Sequence, residues 1–132
     1  MEAPIINARI RKAATRLGLR VASIGPSCDL TYEVEDLGNE GATLGDLASG
    51  KHPFSKVLKE ANRPMVVVGM GALSKEGGSN VLADLDRLKA SVPGLLQPED
   101  YWNGVNFLHT VHVFIDANAL AGVLTPGVCL VP

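Results

Sequence analysis

A run of β-branched residues, Met65-Val-Val-Val68, stands between Pro64 and Gly69, and it restricts the folding of this chain more than any other segment. An apolar run without polar alternation makes a strand covered on both faces, as in a sheet sandwiched by helices. The flanking segments agree. Pro53 opens a helix whose buried side is marked by Phe54, Val57, Leu58 and Ala61 and which ends before Pro64. From Gly77 onward the spacing predicts a second helix with Val81, Leu82, Leu85 and Leu88 inward. Upstream, Leu19 to Ile24 reads as a short buried strand closed by Gly25-Pro26. The core unit is β-loop-α-β-α, which points to an α/β fold: a three-layer, Rossmann-like parallel sheet with flanking helices and right-handed crossovers. Only two strands are secure on this reading, and such a sheet covers neither its edges nor its faces. The expected fold is therefore incomplete by itself and completed by a partner chain.

The chain has 132 residues, one domain's worth, so the expected unit is a single partial α/β domain over residues 1–132. Twelve basic against fourteen acidic residues leave a net charge of -2, with no global field to draw in nucleic acid or acidic lipid. Cys28 and Cys129 lie about 100 positions apart and no CxxC pair occurs, so these thiolates assemble neither a zinc ribbon nor an iron–sulfur cluster. The longest uninterrupted apolar run, Pro64 to Leu73, has ten residues. A bilayer span needs about 20.

Ile6, Ile10, Ala13 and Leu17 form one apolar stripe at helical spacing, with Arg9, Lys12, Arg16 and Arg20 on an adjacent face. This amphipathic, Arg-rich start suits either a folded helix or a mitochondrial presequence. Gly18 ends it in the manner of a C-cap. Residues 26–50 read as an irregular acidic excursion with one short helix at Thr43 to Ser49. Its carboxylates, Asp29, Glu33, Glu35, Asp36, Glu40 and Asp46, miss the EF-hand spacing and read as a solvated face. After Pro98, the residues Val105, Leu108, Val111, His112 and Ile115 fit a helix, while Val111 to Ile115 also suits a strand. Helix is the expectation.

Three constellations invite a chemical reading. Gly69-Met70-Gly71 follows a strand, where a dinucleotide fingerprint begins, but Ser74 stands where GxGxxG needs its third glycine. A tight strand-exit turn is the simpler account. Ser27 and Cys28 lie beyond the end of the first strand, yet Asp29 breaks the nucleophile-elbow pattern and no histidine is placed as a base. His109 and His112 would share a helix face as half of a metal site, without a visible third ligand. His52, before Pro53, reads as a loop or capping residue.

Five ordered strings carry a resemblance: Asn7-Ala-Arg-Ile-Arg-Lys12, Ile24-Gly-Pro-Ser-Cys-Asp-Leu-Thr-Tyr32, Leu37-Gly38, Leu47-Ala-Ser-Gly-Lys-His-Pro-Phe54 and Arg63-Pro-Met-Val-Val-Val-Gly69. With Trp102-Asn-Gly-Val-Asn-Phe-Leu-His109 they resemble the large iron–sulfur subunit family of respiratory complex I, NADH:ubiquinone oxidoreductase, in its C-terminal, molybdopterin-oxidoreductase-like half. The likeness runs from about residue 2 to about 127. It implies that Asn7 to Lys12 belongs to a folded domain and that Trp102 to Leu124 is helical. It also implies that the cluster ligands lie in an N-terminal portion outside this sequence, and that the molybdopterin-like half holds no molybdenum cofactor. No cofactor is expected in this chain, and no catalytic or metal residue transfers to it.

The resulting expectation is a non-catalytic structural segment, a fragment or split-gene piece, of the peripheral arm. Its partners would be other complex I subunits, especially the chain carrying the N-terminal iron–sulfur domains. It would contact no nucleic acid, and would meet the membrane only through the complex, on the matrix side of the mitochondrial inner membrane or the cytoplasmic face of a bacterial one. Expected interface residues are Arg9, Arg11, Lys12, Tyr32, His52 and Phe54, with Gly25 and Pro26 at the strand exit. The rival reading is a Rossmann-like nucleotide-binding module, or one from a thiamine-diphosphate enzyme, built on Arg63 to Gly71. Cys129-Leu-Val-Pro132 matches nothing in the family pattern.

Overall fold

The computed structural model describes residues 4–27, 29–74, 77–108 and 128–131, the last of these segments as backbone alone. Along the chain run α1 (Pro4–Leu17), β1 (Ala22–Ile24), β2 (Glu35–Asp36), α2 (Thr43–Ser49), α3 (Phe54–Glu60), β3 (Met65–Gly69), α4 (Met70–Leu73) and α5 (Gly78–Ser91). Four more strands follow: β4 (Leu96–Gln97), β5 (Trp102–Asn103), β6 (Val105–Leu108) and β7 (Val128–Val131), with single 3₁₀ turns before and after β4. The strands form a five-stranded sheet in the order β2-β1-β7-β3-β6 and a separate β4-β5 hairpin.

The sheet is mixed, which corrects the all-parallel expectation. β1 pairs parallel with β2 and β3 parallel with β6, but β7 lies between β1 and β3 and runs antiparallel to both. Five strands also replace the two that periodicity made secure. Among the described residues the two outer strands are β2 and β6. β2 consists of two exposed carboxylates, Glu35 and Asp36, in keeping with the charges that blunt sheet edges.

The helical expectation for the tail fails where it can be compared. Val105–Leu108 is a strand in register with Val66 to Gly69. Its position follows from Gly104, whose carbonyl accepts from Val66 N at 2.6 Å and whose amide donates to Leu95 O at 2.7 Å. A Cβ on Gly104 would collide with the Pro64 carbonyl, so only glycine lets the two backbones approach this closely. Trp102–Asn103 is likewise extended rather than helical. Val111, His112 and Ile115 lie outside the described residues.

On one face of the sheet, Ala22, Val66, Val68 and Val105 pack with Leu44 and Leu47 of α2, Phe54 and Leu58 of α3, and Leu85 and Leu88 of α5. Every one of these is at most 7% exposed, so this cluster is the hydrophobic core. Val67, alternate to Val66 and Val68 along the strand, is also buried, which bears out a strand covered on both faces. Gly45 allows α2 and α5 to close on each other: a Cβ there would lie 3.3 Å from the Asp84 carboxylate. The Ser55 hydroxyl, buried at the start of α3, donates to Leu47 O at 2.9 Å and ties α3 to α2. One inward expectation fails, for Leu82 is 45% exposed and only Val81, Leu85 and Leu88 of that group turn to the core.

Candidate functional site

α1 ends at Gly18, whose φ of 67° only glycine adopts freely, and the chain turns back with Leu19 N donating to Ala13 O at 3.5 Å. The acidic excursion returns to this point because Glu35 N donates to Val21 O at 2.8 Å beside the β1-β2 pairing. Tyr32, part-buried, donates from its hydroxyl to Asn7 Oδ1 at 2.7 Å and fastens the excursion to α1. Between the end of α1 and residues 32–35 lies a cleft of about 390 Å³. Its apolar wall includes Ala14, Leu19 and Val21, and its polar groups are Thr15, Tyr32, Glu33 and the Arg20–Glu35 pair. Arg20 reaches Glu35 at 2.7 Å while its guanidinium lies 5.3 Å from the centre of the Phe54 ring. Arg20 is thereby neutralised, whereas Glu33 makes no ion pair among the described residues. Such a cleft suits neutral or cationic groups and repels phosphate.

The turn after β3 offers no phosphate cradle either. Gly69 has φ -76° and ψ 146°, an extended conformation open to any residue, and α4 after it is a four-residue helix. Phosphate-binding nests need alternating right- and left-handed backbone. Ala72 and Leu73 pack against the core, and Gly78 presses so closely on the Leu73 carbonyl that a Cβ would collide with it. The reading of Gly69-Met70-Gly71 as a tight strand exit matches this geometry.

The expected interface residues do not form one site. Arg9, Arg11 and Lys12 are exposed on α1. His52 is half-buried, its Nδ1 accepting from Phe54 N at 3.2 Å, so it caps the first turn of α3. Phe54 is 2% exposed and fills the core, which bears out its place on the buried side of α3 and leaves it outside any surface contact. At the β1 exit, Gly25 takes φ 135° and its amide donates to Gly38 O at 2.9 Å, with Pro26 and Ser27 exposed beyond it. The acidic residues of the excursion are engaged locally where bonded: Asp36 Oδ1 accepts from Gly38 N at 2.9 Å, and Asp46 stands 4.0 Å from Lys51. Among the described residues no three of His, Cys, Asp and Glu gather as metal ligands. Cys28, His109 and His112 lie outside the described residues, and of Cys129 only the backbone is described.

One cluster leaves no trace in the sequence pattern. Arg63 meets Asp100 at 3.3 Å and lies 5.7 Å from the Trp102 ring centre, at the loop end of the β4-β5 hairpin. Its members are 37 and 39 positions from Arg63, so no local periodicity joins them.

Comparison with known proteins gives this fold its context. The molybdopterin oxidoreductase family profile matches residues 1–128. The chain is 36% identical over 110 residues to the NADH-ubiquinone oxidoreductase 75 kDa subunit of Reclinomonas americana, covering 83% of this chain and 16% of that protein. It is 37% identical over 108 residues to the mitochondrial NADH dehydrogenase [ubiquinone] iron-sulfur protein 1 of Solanum tuberosum, covering 82% and 14%. It is also 37% identical over 107 residues to an NADH-quinone oxidoreductase subunit of Rickettsia prowazekii, covering 81% and 15%. The chain thus spans 14–16% of the length of these relatives. A profile match over nearly the full length, on a mixed sheet with helices packed on it, means that this chain belongs to the molybdopterin oxidoreductase family.

Proposed function

We propose that this chain is a non-catalytic structural segment of the peripheral arm of respiratory complex I, supporting NADH-to-ubiquinone electron transfer carried by clusters in other chains. The observation that carries this reading is the identity of 36–37%, over four-fifths of the chain, to three subunits named for NADH oxidation with ubiquinone or quinone. Its partners are the other subunits of that complex, above all the polypeptide bearing the N-terminal iron–sulfur domains. Its place is the matrix side of the mitochondrial inner membrane, and in a bacterial host the cytoplasmic face. The membrane is met through the complex; among the described residues no helix is long and apolar enough to cross one.

Two features support the absence of a cofactor in this segment. The extended Gly69 leaves the β3 exit without a phosphate nest, and the cleft beside α1 presents the Glu33 carboxylate, which repels phosphate there. The outer edge of β6, which no described strand covers, supports completion of the sheet by a partner chain.

Native electrophoresis of the tagged chain from its host tests the reading. Co-migration with a large complex holding NADH dehydrogenase activity is the expected result. A chain that migrates alone and binds NADH, FAD or ADP at micromolar concentration would instead be the nucleotide module, and the proposal would fall.

A further inference from the structure

Ile5, Arg9, Lys12 and Arg16 follow one another along α1 at steps of four, three and four. At 3.6 residues and 5.4 Å per turn this puts all four within an arc of about 60° and along about 16 Å of the helix. All four are exposed, Ile5 by 69%, while Ile10 on the far side of the helix is 4% exposed. α1 carries four cations and no carboxylate, and none of the four makes an ion pair among the described residues. The remainder of the sequence holds eight basic against fourteen acidic residues, so positive charge is concentrated on one helix of an otherwise acidic protein. Arg11 points about 100° away from the nearest member of the stripe.

We infer that the Ile5–Arg9–Lys12–Arg16 ridge is a docking surface for an acidic polypeptide segment of a neighbouring subunit, with Arg11 outside the contact. Charge complementarity selects an anionic occupant. A lipid surface is disfavoured because most of the apolar stripe of α1 is turned into the protein: Ile10 is buried and Ile6 and Ala13 are half-buried, with Leu17 alone of the stripe exposed, at its C-terminal end. Nucleic acid is disfavoured by the net charge of -2, which repels phosphate beyond the ridge. Ile5 adds one exposed apolar anchor at the end of the cationic row. The assignment of the occupant to a neighbouring subunit rests on the complex I reading; the preference for an acidic polypeptide does not.

The test measures binding of the full chain to a fluorescent poly-glutamate peptide, to vesicles containing one-third phosphatidylserine, and to duplex DNA, at low and at 150 mM salt. Poly-glutamate binding is expected, weakened by salt, and lowered at least tenfold by the combined variant R9Q/K12Q/R16Q and at least threefold by Lys12→Glu. Arg11→Glu should stay within twofold of the parent. The circular dichroism melting curve of each variant verifies that it folds, and the single Lys12→Glu change keeps the test open if the combined variant does not. Preference for vesicles or DNA over poly-glutamate, or equal losses from Arg11→Glu and Lys12→Glu, would overturn the inference. Native electrophoresis separates the two proposals: loss of co-migration in the combined variant but not in Arg11→Glu supports the ridge within the complex. Poly-glutamate binding without any co-migration of the parent keeps the ridge and removes the complex.

Discussion

Phe54 carries the largest side chain of the core and touches the Arg20 guanidinium with its ring, so truncation removes a buried aromatic and a cation–π partner together. Phe54→Ala should cost about 3–5 kcal/mol in urea unfolding, the range for buried aromatics. Gly104 allows a sharper comparison. Gly104→Ala forces a methyl group onto the Pro64 carbonyl and should cost about 1–3 kcal/mol. Gly41→Ala meets open space, and the same denaturation measurement should find it within about 0.5 kcal/mol of the parent. The sequence places Phe54 on the buried side of its helix, but not that its ring meets Arg20, 34 positions earlier. A half-buried His52 beside it is a different matter: its place before Pro53 already suggests a cap, and the bond from Phe54 N confirms it. The crowding at Gly104 was illegible because its partner lies 40 positions away.

Elements were legible where their signals are local. Pro53, Pro64, Gly50 and Gly18 punctuate the chain, and the helix over Thr43–Ser49 and the strand from Met65 fall where those breakers require. Gly50 closes α2 at φ 80° with its amide on Leu47 O at 3.1 Å. Gly50→Ala should therefore lower stability by about 1–2 kcal/mol through the left-handed backbone alone, and thermal unfolding will show whether Gly50→Asn recovers part of it. The strands β2 and β6 were not legible. β2 is two carboxylates with no apolar period, and β6 carries the spacing of a helix face in its first and last residues, Val105 and Leu108. Tertiary pairing with β3 overrides that local preference. β7 did leave a trace: Val128-Cys-Leu-Val131 is an apolar run between Gly127 and Pro132, the same punctuation that identified β3.

At the scale of the molecule, β7 decides whether there is one sheet or two. It bonds β1 through Ala22 to Ile24 and β3 through Met65 to Val68, and nothing else in the described residues pairs those strands. Truncation after residue 127 should leave β2-β1 and β3-β6 as separate pairs. The expected outcome is loss of near-UV circular dichroism and rapid cleavage by a low concentration of protease, where the full chain resists. The cleft and the cationic ridge were only partly legible. Their charges are plain in the sequence, but the return of Tyr32 and Glu35 to α1 depends on the β1-β2 pairing, which no periodicity announces. The placement of β7 also has a consequence for biosynthesis. A ribosome delivers the flanking strands first and the one that joins them last, with Ala22 awaiting Leu130 across more than a hundred residues. The nascent chain therefore carries the facing edges of β1 and β3 unsealed until residues 128–131 emerge, an interval in which apolar strands are open to wrong pairing.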